Sequence, residues 1–474
     1  MRKSAFATLS LSLALAGCAV GPDYHRPVAP VSGSFVAQPR VAERTAATPA
    51  SLDTWWDGFQ DPLLSDLVKR ALQNNLDIAQ AAARITQARA SLRTANAALL
   101  PSGQVTGSAA HAHQSLETPS GRAFSNLPGF QRDGEVYEAD LGASWEIDVF
   151  GGLRRGQEAA RADYQASEAN AAGVRIAIAA QTADTYITIR GLQSRIAIAE
   201  QQVETQRRLV ALVDLQYRKG IAAELQLRQA EGALAQIEAT LPALRTGLDA
   251  AMNALDVLIG VQPGTDRTLL MASSPVPTPP AIADAGGPAD LLRRRPDLIA
   301  AERHLAASNA RIGEAVAEYY PKFTISGLIG TATMGAGNVF TGGANQAQGV
   351  FGLRWRLFDF GRVDAEIAAA RGSNAEALAA YRLAALRASE DVEDAFSALV
   401  EREAQERVLA GGEASLTRAS AASLAAYKGG VVSLIEVLDA DSRLLATRDA
   451  RAQAKTEAAR AAVASFRSLG GGWR

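Results

Sequence analysis

The chain carries one long pattern twice, and this duplication limits the folds open to it. A shift of 210 positions places Gly142, Trp145, Phe150, Gly151, Tyr217 and Gly220 on Gly352, Trp355, Phe360, Gly361, Tyr427 and Gly430. In each copy an alternating segment leads into a long Ala-rich segment, which ends at a Tyr-x-x-Gly break. Solenoid repeats have periods of about 20–50 residues, so a longer unit indicates a duplicated half of one architecture.

The N-terminal part of each copy repeats with a different shift. A shift of 220 relates Leu100-Pro101 to Tyr320-Pro321 and Asn75-Leu76-Asp77 to Arg295-Pro296-Asp297. The change from 220 to 210 places ten extra residues of the first copy in the Gly-, Pro- and Asn-rich stretch 118–134. A hairpin loop tolerates such an insertion because loop-closure entropy grows only with the logarithm of length.

Composition excludes some classes of partner and site. The formal net charge is −2, and no run of Lys or Arg suggests nucleic acid binding. Aromatic residues make up only 6% of the chain, and much of the apolar fraction is Ala, which suits closely packed helices. Cys18 is the one cysteine, so the chain has neither an internal disulfide nor a Cys cluster for zinc.

The N-terminus has the form of a secretory signal. Arg2 and Lys3 precede an apolar run at 5–16, which is shorter than the roughly 20 residues of a spanning helix. The run ends in the sequence LAGC at 15–18, which looks like a bacterial lipobox and makes Cys18 the predicted lipid attachment site. Under the sorting rule for such lipoproteins, Ala19 after the cysteine implies the outer membrane. An ordinary signal peptide followed by a buried cysteine is the alternative.

These features predict five regions. They are a signal peptide at 1–17, an extended and mostly unpaired Pro-rich tether at 18–51, a first repeat at 52–261, a Pro-rich crossover at 262–288 with little regular structure, and a second repeat at 289–474.

Four segments alternate with a period of two and predict β-strands at 102–113, 135–149, 321–332 and 349–359. Three of them have 11 or 12 residues and the second has 15, and a tilted strand crosses a bilayer with about 9–11. Within the second strand the alternation predicts a lipid-facing set, Tyr137, Leu141, Trp145 and Ile147, and a water-facing set, Glu138, Asp140 and Glu146.

Four strands do not close a barrel, because small membrane barrels need about eight and an open sheet edge is not tolerated in lipid. A membrane sheet of this kind therefore requires several copies of the chain. A small soluble sheet packed on helices would also alternate and stays open as an alternative.

Each strand pair is followed by about 65 helical residues, or roughly 100 Å of helix at 1.5 Å per residue. Shorter helices are predicted from Asp61-Pro62 onward and at 78–99, and return helices at 222–258 and 432–469. Two helical hairpins of equal length, rooted in β-structure, describe a shaft whose two turns lie at one depth.

Several motifs in order along the chain resemble the outer membrane efflux proteins, the TolC-like exit ducts, and among them the NodT-type lipoprotein branch. They are LAGCAVGPDY at 15–24, WWDGFQD at 55–61, ALQNNLD at 71–77, WEIDVFG at 145–151, RPD at 295–297, LFDFGR at 357–362, VLDA at 437–440 and LGGGW at 469–473.

The resemblance implies an α+β membrane protein that works as a homotrimer. Each protomer would contribute four strands to a twelve-stranded β-barrel and long coiled-coil hairpins to a helical tunnel in the periplasm. The duct would be anchored to outer membrane lipid at Cys18. It would dock on a periplasmic adaptor and an inner-membrane pump, and would pass drugs, metals or other small solutes without selecting them.

The hairpin ends are the predicted functional site. Gly220 and Gly430 mark the tips that would contact the adaptor. The resemblance places carboxylates of this turn at a closed periplasmic mouth, and the predicted gate residues are Tyr217, Tyr427, Lys428, Glu436, Asp439 and Arg443. A solvated helix face, with Asp439 paired to Arg443 one turn on, is the alternative.

Catalytic and cofactor motifs are not found in the sequence, so neither an enzyme nor a cofactor is predicted. His111 and His113 share a strand face as a metal pair could, but a third ligand is not evident and a wet barrel wall is the favoured interpretation. The alternative function is a structural coiled-coil lipoprotein that tethers the outer membrane without transport.

Overall fold

The computed structural model describes residues 19–44, 49–282 and 286–473. The α-helices in these ranges are α1 (Gln38–Ala42), α2 (Pro62–Asn74), α3 (Leu76–Ala97), α4 (Pro119–Phe124), α5 (Gly152–Arg218), α6 (Glu224–Glu238), α7 (Thr240–Ile259), α8 (Arg267–Met271), α9 (Pro288–Arg294), α10 (Pro296–Ala317), α11 (Arg362–Lys428) and α12 (Leu434–Ser468). The strands are β1 (Pro49–Ala50), β2 (Ser102–His113), β3 (Asp133–Ile147), β4 (Ala281–Ile282), β5 (Lys322–Thr333) and β6 (Asn345–Arg354).

The two long helices, α5 and α11, have 67 residues each. Within the described ranges, no helix has both the length and the apolarity that are needed to cross a membrane. The chain divides into two compact units, one made of residues up to 27 with 86–166 and 302–380, the other of 28–85, 167–301 and 381–474. Long helices together with a four-stranded sheet confirm the predicted α+β class.

The first unit contains the antiparallel sheet, with strand order β2-β3-β5-β6. Ser102 pairs with Ser144 in the first hairpin, and Lys322 pairs with Arg354 in the second. The hairpins join through β3 and β5, where Tyr137 lies opposite Thr333 and Ile147 opposite Phe323. In the described chain, β2 and β6 each have a neighbour on one side only, so the sheet has two free edges.

The four predicted strands are present; the first has the predicted bounds, and the ends of the other three differ from the prediction. The second strand begins and ends two residues earlier than predicted, at Asp133 and Ile147, and the last runs from Asn345 to Arg354 instead of 349–359. The last strand stops at Arg354 because its partner begins at Lys322, directly after Pro321, which has no N–H to donate. Side-chain alternation continues past this point, but the ladder does not.

The N-terminal segment of the first unit is docked, so the expectation of a mostly unpaired tether is wrong for residues 19–27. The buried Arg155 donates to the carbonyls of Val20 (3.2 Å) and Gly21 (3.4 Å) and to the carboxylate of Asp23 (2.8 Å). Gly21 has φ +91°, and a Cβ there would meet the Cα of Gly313 at 2.4 Å. Only glycine fits this close approach.

Residues 28–44 are likewise packed, here within the second unit. Phe35 and Val41 are buried, and the Glu393 carboxylate accepts the backbone N–H groups of Val36 (2.5 Å) and Ala37 (3.0 Å). Pro-rich composition predicted a lack of regular structure, but it did not exclude an extended segment held by contacts distant in sequence.

The main core of the second unit gathers around the WWDGF turn. Trp55 stacks on Phe466 with ring centroids 5.6 Å apart, and both side chains are fully buried. Asp61 caps α2 by accepting the N–H of Leu63 (3.0 Å), and it also accepts the hydroxyl of the buried Tyr186 (2.6 Å). The cap thus fixes the start of α2 and its position on α5 together.

Arg295 of the RPD motif joins three parts of the second unit. Its guanidinium donates to the carboxylates of Asp297 (2.7 Å) and Asp391 (2.8 Å) and to the carbonyl of Ser468 (3.2 Å). The side chain is only 11% exposed. The motif therefore holds the α9–α10 junction against α11 and the C-terminal end of α12.

The first return helix and the crossover differ from the prediction. Two helices, α6 and α7, replace the single predicted helix at 222–258, because Pro242 cannot donate to the carbonyl four residues back. The crossover, expected to have little regular structure, contains α8 and β4, and β4 pairs in parallel with β1.

Candidate functional site

Both helical hairpins turn through the same backbone motif. Gly220 and Gly430 have φ of +72° and +73° and donate their N–H to the carbonyls of Tyr217 and Tyr427, each at 2.9 Å. The next residues, Ile221 and Val431, donate to carbonyls five residues back, again at 2.9 Å. These two bonds with a left-handed glycine form a Schellman motif. The Tyr-x-x-Gly breaks are therefore helix ends that require glycine.

The return helices begin with related caps but different charge. The Gln226 side chain accepts the N–H of Ala223 at 3.0 Å. At the equivalent place in the second hairpin, the Glu436 carboxylate accepts the N–H (3.4 Å) and the hydroxyl (3.2 Å) of Ser433. A carboxylate in the first helical turn is stabilised by the helix dipole. Glu436 is therefore engaged in capping its own helix.

The tips present apolar side chains to their surroundings. Ile221 is 73% exposed and Val431 79%, and each directly follows the turn glycine. Leu225 and Ile435, in the first turns of the return helices, are also exposed. Contiguous exposed apolar surface on a folded protein marks an interaction site. Both tips carry the same two apolar positions.

The hairpins pack against each other just behind the tips. The small core there consists of Leu209, Val213, Leu227, Ala230, Leu434 and Val437. Tyr427 packs on its edge, and the Tyr427 hydroxyl donates to the Gln216 side-chain oxygen at 2.6 Å. Burial raises the pKa of Tyr427, so the hydroxyl keeps its proton at neutral pH. This bond links the second hairpin to the first.

The other predicted gate residues are only partly brought together. Arg443 donates to Asp439 at 3.1 Å along one helix face, and both side chains are more than half exposed. Lys428 is exposed, and no described residue forms an ion pair with it. Tyr217 is exposed, and no described residue accepts its hydroxyl. The local Asp439–Arg443 pair matches the alternative weighed from the sequence.

Asp441 is a buried carboxyl that the sequence analysis missed. It accepts the Ser420 hydroxyl at 2.5 Å between α11 and α12. Burial raises the pKa of Asp441, and the Ser420 bond and the nearby Arg448 oppose that shift. Its helical spacing from the buried Leu434, Val437 and Leu444 places it on the apolar face, and this was the signal available in the sequence.

Ion pairs between helices hold the second hairpin together farther from the tip. The Glu413 carboxylate on α11 accepts hydrogen bonds from the guanidinium groups of Arg448 (3.2 Å) and Arg451 (2.9 Å) on α12. Arg451 also donates to the Glu406 carboxylate (2.8 Å). A network of several partly buried charges is worth more than an isolated surface pair. None of these pairings was predicted.

The histidine pair lies at the end of the β2–β3 hairpin. The His113 ring nitrogen lies 2.6 Å from the Asp133 carboxylate, and His111 lies 3.8 Å from Glu135. Across the residues that the structure describes, no three His, Cys, Asp or Glu side chains are grouped to hold a metal. Cys18 and the signal segment 1–17 lie outside the described residues.

The chain is similar to known proteins over nearly its whole length. The profile of the family described as "Outer membrane efflux protein" matches residues 67–261 and 287–471. The outer membrane protein OprJ of Pseudomonas aeruginosa is 31% identical over 100% of this chain and 97% of its own length. The toluene efflux pump outer membrane protein TtgF of Pseudomonas putida is 30% identical over 99% of this chain and 97% of its own.

The structural comparison agrees. The solved outer-membrane channel OprN superimposes with a TM-score of 0.87 at 31% identity, over 96% of this chain and 100% of that one. The resemblance inferred from the motifs is confirmed, and the efflux names of the relatives favour export over a purely structural lipoprotein. The chain therefore belongs to the outer membrane efflux protein family and is the outer membrane component of an efflux system.

Proposed function

We propose that this outer membrane efflux protein is a passive exit duct in which three copies combine their sheets into one twelve-stranded barrel. The open four-stranded sheet of the first unit is the observation that carries this proposal. Its two free edges would leave backbone N–H and C=O groups unpaired in lipid, where each costs several kcal/mol. Three copies pair every edge and supply more than the roughly eight strands of the smallest membrane barrels.

The docked N-terminal segment supports the proposed lipid anchor. Cys18 is proposed as the acylated first residue of the mature chain, and the residues shortly after it are held within the first unit by hydrogen bonds from Arg155 to Val20, Gly21 and Asp23. Acyl chains anchor by about 0.8 kcal/mol per buried CH₂. Intact mass spectrometry should show the loss of residues 1–17 and a gain of acyl mass. A mature chain that begins elsewhere with a free thiol would contradict the assignment.

The tips are the proposed contact for a periplasmic adaptor, which would connect the duct to an inner-membrane pump. Their paired exposed residues, Ile221 with Leu225 and Val431 with Ile435, offer apolar surface beside the turn glycines Gly220 and Gly430. Replacing Ile221 and Val431 by Lys should abolish export in cells, while the purified variant should still form trimers that conduct in bilayers. Unchanged export would exclude the tips as the adaptor contact.

The same hairpin ends form the proposed periplasmic gate, with the Tyr427–Gln216 bond as its latch. Because Arg443 neutralises Asp439 in each copy, we expect the two residues to act on ion selectivity in opposite directions. Asp439→Ala should lower cation preference by leaving Arg443 unpaired, and Arg443→Ser should raise it. Reversal potentials under a salt gradient measure both, and equal values in the two variants would place the gate elsewhere.

Single-channel recording in planar bilayers tests the function as a whole. A duct should give discrete conductance steps from purified trimers, and a Gly330→Val variant is the control. The Cβ of residue 330 would meet the Asp140 side chain at 2.1 Å, so the substitution disrupts the sheet. A structural coiled-coil lipoprotein would insert without conductance, and that result would refute the duct.

A further inference from the structure

We propose that β6 of one copy pairs with β2 of the next in a defined register, with Ala347 opposite His113 and Leu353 opposite Gly107. The inference rests on the proposed assembly of several copies, and it specifies how their free edges meet. The partner is a second copy of this chain.

The two halves have the same internal register. In the first hairpin, Ser102 pairs with Ser144. Adding 220 to the residue number in the first strand and 210 to that in the second gives Lys322 and Arg354. These two residues are paired in the second hairpin. The sequence shifts are therefore also structural shifts. The duplication has preserved strand pairing residue by residue.

The junction between the halves then predicts the junction between copies. Within one chain, β3 pairs with β5 from Tyr137↔Thr333 to Ile147↔Phe323. Adding 210 to the β3 residue numbers gives their equivalents in β6, and subtracting 220 from the β5 numbers gives their equivalents in β2. The β3–β5 ladder then becomes a ladder between β6 and β2. Within β6 this ladder runs from Ala347 opposite His113 to Arg354 opposite Thr106. A barrel of identical copies must close every junction, and equivalent edges satisfy this with equivalent registers.

The side chains of the two edges fit this register. Phe351 and Leu353 project from β6 and are mostly exposed in one chain. They would lie opposite Ala109 and Gly107, small residues on the same face of β2. A slip by one residue would place Leu353 opposite the polar face of β2 that carries Ser108. Because strand faces alternate, such a slip exchanges the apolar and wet sides of the whole strand.

A ring contact outside the strands obeys the same shifts. Phe150 of the first half stacks on Tyr320 of the second, with ring centroids 4.5 Å apart. The equivalent residues are Phe360 and, in the next copy, Leu100. In one chain Phe360 is completely exposed, and Leu100 is 65% exposed. Phe360 also has φ +54°, a left-handed conformation that L-residues rarely adopt. Packing on Leu100 of the next copy would cover both side chains.

Disulfide trapping tests the register, since Cys18 is the sole native cysteine and is the proposed acylation site. Ala347→Cys with His113→Cys should give covalently linked copies on mild oxidation, because paired Cα atoms lie about 4.5–5.5 Å apart and disulfides need less than about 7 Å. Phe360→Cys with Leu100→Cys should also cross-link. The matched control, Ala347→Cys with Ala109→Cys, is four residues out of register, or roughly 13 Å, and should not.

Linkage in the control pair but not in the first pair would overturn the register. If the reduced variants still form conducting trimers in that case, the proposed duct stands and only the register fails. If the first pair cross-links efficiently and Phe360 does not, the ladder is supported and the ring contact is refuted. Reduced variants that remain monomeric and do not conduct, alongside a monomeric wild type, would refute the duct itself.

Discussion

The latch between the hairpins makes a quantitative prediction about opening. Tyr427→Phe removes one hydroxyl and leaves the ring packed on the core behind the tips, so the Tyr427–Gln216 bond is lost with little change in packing. If this bond holds the mouth closed, the variant should open more often. The wild-type mouth should remain predominantly closed.

The size of the effect follows from the chemistry of the bond. A hydrogen bond between neutral groups contributes about 0.5–1.5 kcal/mol net. If three copies open together, the variant lacks three such bonds, and the closed state is destabilised relative to the open state by about 1.5–4.5 kcal/mol. Each 1.4 kcal/mol is a factor of ten, so the ratio of open to closed states should rise by about 10-fold to 10³-fold.

Open probability in planar bilayers measures this ratio directly. Tyr217→Phe is the matched control, because Tyr217 is exposed at the equivalent position and no described residue accepts its hydroxyl. Gln216→Ala should open the channel as Tyr427→Phe does, and the double variant should open little further, since both remove the same bond. If Tyr427→Phe and Tyr217→Phe both behave as wild type, the hydroxyl is not a latch.

Three further outcomes are expected. Because burial raises the pKa of Asp441 in the folded state, its ionised form destabilises the protein above that pKa. Asp441→Asn should therefore raise Tm at pH 7 and lose this advantage as pH falls through the raised pKa, as thermal unfolding will show. Arg295→Ala should cost about 1–3 kcal/mol, because it leaves the carbonyl of the buried Ser468 without this donor, while the carboxylates of Asp297 and Asp391 are half-exposed and can be solvated. Arg293→Ala, at an exposed ion pair, should cost less than about 1 kcal/mol in denaturant unfolding. Leu141→Arg should cost about 2–4 kcal/mol on a lipid face near the midplane, and Asp140→Asn should be tolerated in barrel-refolding assays.

The features predicted best from the sequence are those that backbone geometry enforces. Alternation with period two located four strands, because a strand exposes successive side chains on opposite faces. The Tyr-x-x-Gly breaks located both hairpin turns, because the left-handed φ at Gly220 and Gly430 excludes most other residues. Strand ends were predicted less well, since the end of β6 depends on where its partner begins.

Contacts between distant segments were not predictable from local patterns. Arg155 reaches Asp23, and Tyr427 reaches Gln216, and no periodicity relates the members of either pair. The Asp439–Arg443 pair could be weighed in advance because i,i+4 neighbours on a helix face each other. Among the candidate site residues, the helical neighbours were thus predictable, and the bond that joins the hairpins was not.

Because the chain is duplicated, some parts of a trimeric duct can have nearly sixfold symmetry, whereas others have only threefold symmetry. The turn motifs at Gly220 and Gly430 are the same in both halves, so a trimer would present six similar tips. The latch has no such counterpart, because the residue equivalent to Gln216 is Ala426, whose methyl group cannot accept the Tyr217 hydroxyl. Opening that breaks the latch therefore separates α11 from α5 within one copy and has no equivalent bond to break between copies. A partner that separates the two hairpins of one copy would have to break the latch, whereas separation of the first hairpin of one copy from the second hairpin of the next would break no equivalent bond.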